Sequence, residues 1–456
     1  MNVSALGILA PQAALVAGVL GALGLGLARR PSALLARAVA FAAPFAALWL
    51  LKSAAPGSLP TLIGADMKGL CWQLVIYCGA LPMAFLSSGD DVEAALFLGS
   101  VLGMSLLAVA GNLPMLFVGL EFMSLPAYLL VARAGEGDGS RRLEAAVKYF
   151  FAGALAGALF LLGLALYYAE TRVLGATAQP LGFQGQAGVA LMAAAALFKL
   201  GAVPLHWWLP DVYEASSPEV SGFLSTSMKA AAVLFLMRVT MLAPNPAFAS
   251  ALPGLGALTA LVGAFLALRQ ERLQRLLAYS SLAHAGLLIL GVGAWQAAGR
   301  GAAATSALAF YLGAYALMSN GAFIFLKASG LTTRAELRGY AAREPGLAAA
   351  FAVLLFSLAG MPPTGGFVAK LLIFWQAVQA SLAVPVVLGG VSALVSLAYY
   401  LALVRDAYFE DPSGAVPAVP KNAGPARVAV LVCALGSLAL GAAPLLLRGL
   451  TGGAWR

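Results

Sequence analysis

Long apolar stretches separated by short polar loops dominate the hydropathy pattern of this 456-residue chain. About 20 consecutive apolar residues cross the hydrocarbon core of a bilayer as one helix. By that measure the pattern predicts an all-α fold with about fourteen transmembrane helices. Their approximate ranges are 5–28, 32–51, 69–87, 92–111, 113–132, 143–168, 187–203, 219–242, 252–268, 273–294, 302–327, 346–361 continuing to 380, 384–404 and 426–447.

Two of these stretches are interrupted by proline in a similar way. The seventh contains Pro204, and the twelfth contains Pro362, Pro363 and Gly365. Proline removes a backbone donor and clashes with the carbonyl group four residues earlier, so it kinks or breaks a helix. At membrane depth such a break is tolerated where protein or water satisfies the backbone groups that it frees. We therefore predict a broken helix at each position, with a lysine nearby.

Paired broken helices at corresponding positions of two halves are typical of transporters that are built from inverted repeats. The pattern predicts two inverted repeats of five helices each, at about 92–242 and 252–404. Flanking helices would lie within 1–91 and 426–447, and residues 1–456 would form a single membrane domain.

Composition and charge agree with a membrane protein. Hydrophobic residues make up 62% of the chain and charged residues 10%, against about 25% charged residues in soluble domains. Sixteen Lys or Arg residues fall in the odd-numbered loops, and seven fall in the even-numbered loops and the C-terminal tail. The positive-inside rule then places the odd loops in the cytoplasm and both termini outside. No basic segment precedes the first apolar stretch, which we therefore interpret as a retained helix.

Five ionisable residues lie inside predicted spans: Glu121, Lys148, Lys199, Lys229 and Lys370. Such a residue costs about 2.5–3.5 kcal/mol at the bilayer centre on insertion scales, so it usually faces a polar interior and serves function. Burial favours the neutral form of an amine. These residues therefore suggest a line of groups that exchange protons, and Lys199, deep in its span beside Pro204, is the strongest candidate.

Each of the first four residues also has a structural interpretation. Glu121 could be a protonated carboxyl group that holds helices together, or Lys199 could be its static ion-pair partner. Lys229 could bind backbone carbonyl groups. Lys148 lies four residues after Glu144, so an i,i+4 ion pair with a lysine that reaches the surface is an alternative.

Two further candidates for proton exchange, His284 and Lys370, lie in the second half of the chain. His284 lies midway along span 10, and because histidine is the side chain whose ordinary pKa is near neutral, it could connect the two halves. A hydrogen-bonded core histidine is the alternative. Lys370 repeats the pattern of a lysine beside a break, although its side chain could instead reach a surface.

Residues around the first break are candidates for proton uptake. Asp211 and Glu214 follow the break and could accept protons from the cytoplasmic side. His206 is a further candidate, but its neighbours Trp207 and Trp208 also fit an aromatic anchor at the membrane interface.

No motif for a redox cofactor or a metal occurs in the sequence. Three cysteines and two histidines provide no ligand set for an iron–sulfur cluster or a haem. Any redox chemistry is therefore expected in partner proteins.

Several segments together resemble subunit N of bacterial respiratory complex I, the proton-pumping NADH–quinone oxidoreductase, in the family of antiporter-like membrane subunits. The resemblance covers roughly residues 110–410. The segments that carry it are 119–126 (GLEFMSLP), 144–150 (EAAVKYF), 198–214 (FKLGAVPLHWWLPDVYE), 276–284 (LLAYSSLAH) and 357–370 (SLAGMPPTGGFVAK). The run 216–219 (SSPE) departs from the Pro-Thr-Pro-like run that is usual in the family.

The resemblance implies a non-redox subunit of a proton-pumping translocase, multi-pass in the bacterial inner (plasma) membrane. The proton-pathway residues that it implies are Glu121, Lys148, Lys199, Lys229, His284 and Lys370. Its expected partners are lipids and the other membrane-arm subunits, including sister antiporter-like subunits. FMN, iron–sulfur clusters and quinone would bind in partner subunits, and no cofactor would bind this chain. A component of a sodium/proton antiporter and a membrane scaffold are the two alternative functions.

Overall fold

The structure is a computed structural model, and it describes residues 9–27, 33–51, 57–59, 63–65, 67–86, 90–133, 139–242, 246–412 and 423–442. These residues form nineteen helices and one short hairpin, Gly57–Leu59 (β1) with Ile63–Ala65 (β2). The first ten helices are α1 Ala10–Gly26, α2 Ala33–Leu50, α3 Met67–Leu86, α4 Asp91–Ala108, α5 Leu113–Arg133, α6 Gly139–Thr171, α7 Phe183–Leu200, α8 Trp208–Ala215, α9 Pro218–Ser225 and α10 Ser227–Thr240. The remaining nine are α11 Pro246–Ala267, α12 Leu273–Ala297, α13 Ala302–Ser329, α14 Arg334–Leu337, α15 Tyr340–Arg343, α16 Pro345–Ala359, α17 Gly365–Gln379, α18 Ala383–Phe409 and α19 Ala423–Ala442.

The nearly all-helical membrane fold is confirmed. Within the described ranges, eleven helical stretches are long and apolar enough to cross a membrane, and three shorter apolar helices are α1, most of α2 (Leu34–Leu50) and α16. The count of fourteen spans stays a prediction. The hairpin, which no hydropathy signal indicated, occupies part of the loop between α2 and α3.

The chain divides into two compact units, and each unit is built from two separate stretches of sequence. One unit consists of Met1–Leu200 and Ser227–Phe248, and the other consists of Gly201–Thr226 and Ala249–Arg456. In the first unit α4 packs on α5 and α6 packs on α7, while α10 contacts α3, α4 and α7. In the second unit α13 contacts α9, α12, α16, α17 and α19. The boundaries of the inverted repeats stay a prediction.

Helix breaks occur where the prolines predict them. A glycine in the left-handed conformation follows each preceding helix, Gly201 (φ +75°) after α7 and Gly360 (φ +85°) after α16. Glycine adopts this conformation without a Cβ penalty and is therefore common at helix ends. The peptide bonds before Pro204 and Pro363 are cis. The chain resumes helical structure at Trp208 and Gly365 respectively.

A third break divides the predicted span 219–242, which we expected to be continuous. Thr226 (φ −111°, ψ −77°) separates α9 from α10. The hydroxyls of Ser225 and Thr226 both donate to the Gly222 carbonyl at 2.8 Å. Such local side-chain bonds compete with the helical ladder, which explains a break that no proline predicts.

Candidate functional site

The first unit buries the amine of Lys199 among aromatic side chains. Lys199 lies in the last turn of α7, is 4% exposed, and its Nζ donates to the Tyr128 hydroxyl at 3.0 Å. The same nitrogen lies 4.9 Å from the ring centroid of Tyr128 and 5.1 Å from that of Tyr149. Cation–π attraction supplements the hydrogen bond while the amine carries a proton. We call Glu121, Tyr128, Tyr149 and Lys199 the Lys199 cluster.

Glu121 and Tyr128 lie on one face of α5 because seven residues are two helical turns. Two glycines of α6 provide space for these side chains. A Cβ at Gly157 would lie 2.8 Å from Glu121 Oε1, and a Cβ at Gly153 would overlap the Tyr128 hydroxyl. The Glu121 carboxylate is half-buried and attracts Lys199 electrostatically, but these two described residues form no ion pair within 4 Å. Tyr128, rather than Glu121, therefore contacts the amine directly.

Lys229 is 1% exposed near the start of α10. Two polar contacts hold this end of the helix against α3, since Ser227 Oγ donates to the Ile76 carbonyl and Trp72 Nε1 donates to the Ala230 carbonyl, both at 2.9 Å. Tyr149 connects this region with the Lys199 cluster because its hydroxyl donates to Met228 Sδ at 3.2 Å. Tyr149 therefore borders Lys199 and contacts the residue that precedes Lys229.

Lys148 lies outside the Lys199 cluster. Its Nζ is 2.7 Å from Glu144 Oε1, and the side chains of the two residues are 41% and 64% exposed. This is the i,i+4 pair that the sequence left open as an alternative. The structure therefore brings together Glu121, Lys199 and the neighbourhood of Lys229 in this unit, but not Lys148.

In the second unit, ion pairs with α12 hold the two carboxylates that follow the first break. Arg275 Nη1 lies 2.9 Å from Asp211 Oδ1 and 2.7 Å from Glu214 Oε2, and Arg272 Nη1 lies 2.9 Å from Glu214 Oε1. These pairs fix α8 on α12. His206 is half-buried before α8, next to an exposed Trp207.

His284 lies buried in a group of hydroxyl-bearing side chains. Its Nδ1 is 2.7 Å from the Tyr311 hydroxyl, and its ring centroid is 4.9 Å from that of Tyr315. The Tyr315 hydroxyl donates to Ser281 Oγ at 3.0 Å. Tyrosine and serine hydroxyls both donate and accept, so they can pass a proton from one to the next.

Lys370 binds the helix end at the second break. Its Nζ donates to the carbonyls of Leu358 and Ala359, both at 2.8 Å, and the residue is 6% exposed. These carbonyls lack the partners that a continuous helix would provide, and the C-terminal end of a helix attracts a cation. The alternative that this lysine reaches a surface is wrong.

The sequence did not indicate the tyrosines that lie beside Lys199 and His284. Tyr128 follows Glu121 by two turns, so helical spacing from an intramembrane ionisable residue could have identified it, whereas Tyr149 is only adjacent to Lys148 in the chain. Tyr311 and Tyr315 lie one turn apart on α13, but nothing in their local sequence connects them with His284.

Comparisons with known proteins show the family of the chain. A family model described as "NADH:quinone oxidoreductase/Mrp antiporter, TM" matches residues 110–396. NADH-quinone oxidoreductase subunit N 1 of Chloroherpeton thalassium is 37% identical over 328 residues, which are 68% of this chain and 68% of that protein.

Solved structures give the same result. A chain of respiratory complex I from Thermus thermophilus with bound aureothin is 34% identical, with a TM-score of 0.85, covering 96% of this chain and 98% of that chain. A chain of the Mrp complex from Dietzia sp. DQ12-45-1b shares the fold, with a TM-score of 0.84 at 22% identity, covering 100% of this chain and 97% of that chain. The protein therefore belongs to the family of NADH:quinone oxidoreductase and Mrp antiporter membrane subunits and, within it, to the NADH-quinone oxidoreductase subunit N proteins.

Proposed function

We propose that this chain is a proton-translocating membrane-arm subunit of an NADH–quinone oxidoreductase. The observation that carries the proposal is the buried Lys199 amine, whose hydrogen-bond partner is a hydroxyl group rather than a fixed carboxylate. A hydroxyl accepts from an ammonium group and donates to a neutral amine. Lys199 can therefore be satisfied in both protonation states, as a group that exchanges protons must be.

Electrostatic coupling between Glu121 and Lys199 links charge to proton affinity. Removing negative charge near Lys199 weakens the attraction that holds its proton. Moving one charge against 100 mV costs about 2.3 kcal/mol. A change of about two pKa units in an exchanging group supplies about 2.7 kcal/mol. A change of this size in the proton affinity of Lys199 is therefore sufficient to move one proton against 100 mV.

The proposed pathway continues from Lys199 through Lys229 and His284 to Lys370. In this proposal Glu121 sets the proton affinity of Lys199, and electron transfer in partner subunits changes the charge that Glu121 experiences. Lys148 would connect to the pathway from the half-exposed face of α6. Asp211, Glu214 and His206 would serve proton uptake at the end of the second unit where Arg272 and Arg275 lie.

The chain itself would perform no redox step. FMN, iron–sulfur clusters and quinone would bind in partner subunits, among them sister antiporter-like subunits of the same membrane arm. The protein would lie in the bacterial inner membrane with both termini on the outer side, as the distribution of basic residues predicts.

The Lys199→Met variant tests this function in membrane vesicles that contain the assembled enzyme. Methionine keeps the length of the side chain and removes the exchangeable proton. We expect NADH-driven acidification and quinone reduction to fall together by roughly ten-fold or more, because proton-transfer groups contribute such factors. Native gels would establish that the enzyme is assembled.

A matched control removes a cation from elsewhere in the chain. Arg427 Nη2 lies 2.6 Å from Glu344 Oε1 in a half-buried ion pair that involves no residue of the Lys199 cluster. The Arg427→Met variant should keep both rates within about two-fold of wild type, as surface ion pairs contribute little. Wild-type pumping by an assembled Lys199→Met enzyme would contradict the proposal.

A further inference from the structure

Glu219 and Lys327 form an ion pair that the pathway above does not use. Glu219 lies in the first turn of α9, and its Oε1 accepts a hydrogen bond from Lys327 Nζ near the end of α13. The Glu219 side chain is 7% exposed and that of Lys327 is 31% exposed. One partner is therefore buried, while the other reaches the surface of this unit.

The buried carboxylate is only half satisfied. Within the described part of the chain, Glu219 Oε2 is buried and has no hydrogen-bond partner. Buried polar atoms are normally paired, so such an oxygen requires an explanation. By contrast, the two oxygens of Glu214 bind Arg272 and Arg275, and the two oxygens of Asp406 bind arginine side chains.

The cation also differs from those of the other described ion pairs in this unit, which are all arginines. Arg272, Arg275 and Arg427 hold their carboxylates with guanidinium groups, which do not lose a proton in proteins. Lys327 holds Glu219 with a single ammonium group. A fully satisfied pair with arginine stabilises structure, whereas a half-satisfied pair with lysine leaves the carboxylate able to bind a proton at Oε2.

A ladder of polar side chains lies farther along the same two helices, where the C-terminal end of α9 faces α13. Asn320 Nδ2 donates to Thr226 Oγ1 at 3.1 Å, and Ser225 Oγ lies 2.9 Å from Ser319 Oγ. Gly222 precedes these contacts on α9, where a Cβ would lie 2.7 Å from the Asn320 amide oxygen. A side chain at Gly222 would therefore displace the Asn320 amide group.

The ladder reaches Tyr315, which lies beside His284. The Tyr315 hydroxyl interacts with the hydroxyls of Ser225, Ser319 and Ser281. The ring of Tyr315 lies against His284, as described above. Residues 311, 315, 319, 323 and 327 recur every four positions on α13, so each lies about 40° around the helix from the one before, and the row spans roughly 24 Å at 1.5 Å per residue. Phe323, which packs edge-on against Tyr213, is the apolar member of this row.

We propose that Glu219, with Lys327 as its charge partner, is a further proton-binding site that exchanges protons with His284 along the α9–α13 ladder. Glu219 Oε2 binds one proton, and the neutral carboxylic acid holds Lys327 less strongly. Each hydroxyl then accepts one proton and releases another, so that only Glu219 and His284 change charge. This inference rests on the proposed proton-translocating function, and it adds a second group that takes up protons.

The Glu219→Gln variant tests this site in membrane vesicles with the assembled enzyme. Glutamine keeps the shape and the hydrogen bond to Lys327 but binds no proton at this position. We expect NADH-driven acidification and quinone reduction to fall at least ten-fold, since a lost proton-transfer group typically costs about 10²–10⁴-fold. The Glu219→Asp variant keeps the carboxyl group and should recover at least half of the wild-type rate, which a purely structural loss would not predict.

Glu344→Gln is the matched control because it changes the same residue type in another half-buried ion pair of the same unit. It should pump at the wild-type rate. If Glu219→Gln prevents assembly, the double variant Glu219→Gln with Lys327→Gln leaves no buried unpaired charge and should assemble while pumping poorly. Wild-type pumping by either assembled variant would overturn the inference.

Comparison with Lys199→Met separates this inference from the proposed function. If Lys199→Met stops pumping while Glu219→Gln does not, only the Glu219 site is wrong. If both assembled variants pump normally, proton translocation by this chain is wrong as well.

Discussion

Two buried lysines beside helix breaks have different surroundings, and the difference indicates different roles. Lys199 donates to the Tyr128 hydroxyl and lies over aromatic rings. Lys370 donates to two main-chain carbonyls at 2.8 Å. A carbonyl can only accept a hydrogen bond, whereas a hydroxyl can also donate one to a neutral amine, so the partner of Lys199 suits either protonation state. Similar sequence patterns therefore place one lysine where it can exchange a proton and the other where it also stabilises a helix end.

The largest effect on stability should come from the Lys370→Met variant. It leaves two carbonyl groups at the end of α16 without their donor, and an unsatisfied buried group costs about 1–3 kcal/mol. We expect less assembled enzyme to survive heating in detergent, as measured on native gels, than for Lys199→Met. Equal loss of assembled enzyme in the two variants would contradict the different roles of Lys370 and Lys199.

Removing one hydroxyl from the Lys199 cluster should have a smaller effect that is specific to pumping. The Tyr128→Phe variant keeps the ring over Lys199 but removes the acceptor at 3.0 Å. We expect acidification to fall several-fold, up to roughly ten-fold, with assembly unchanged. Tyr149→Phe is the control because the Tyr149 hydroxyl donates to Met228 Sδ and not to Lys199, so its rate should stay close to wild type.

The sequence predicted the elements better than it predicted their contacts. Hydropathy located the helical stretches, and prolines located the breaks after Leu200 and Ala359. The break at Thr226 was missed because it depends on hydroxyl bonds to the Gly222 carbonyl, and serine and threonine are common within helices that remain continuous. Hydropathy shows which residues are buried, not which neighbours they meet.

The same limit applies to the candidate site. The cost of burying charge identified Lys199, Lys229 and Lys370 without any structure. The partners of Lys199 come from α5 and α6, and those of His284 come from α13, so they depend on how the helices rotate against one another. The Glu219–Lys327 pair was missed for the same reason, since the two residues are 108 positions apart.

The smallest effect should come from crowding Glu121 without changing any charge. In the Gly157→Ala variant the new Cβ would lie 2.8 Å from Glu121 Oε1, so the carboxylate must shift. We expect acidification to fall about two- to three-fold, because catalytic geometry tolerates only small displacements. Gly254→Ala, on an exposed part of α11 where a Cβ meets nothing within 4 Å, should leave the rate unchanged.

The Lys199→Arg variant tests most directly whether Lys199 exchanges a proton during turnover. Arginine keeps the positive charge and can still donate to Tyr128, but it does not lose its proton in proteins. The measurement is NADH-driven acidification of vesicles that contain the assembled enzyme. We expect the variant to assemble and to acidify the vesicles very little. Acidification at the wild-type rate would contradict this expectation, since a fixed positive charge would then be sufficient.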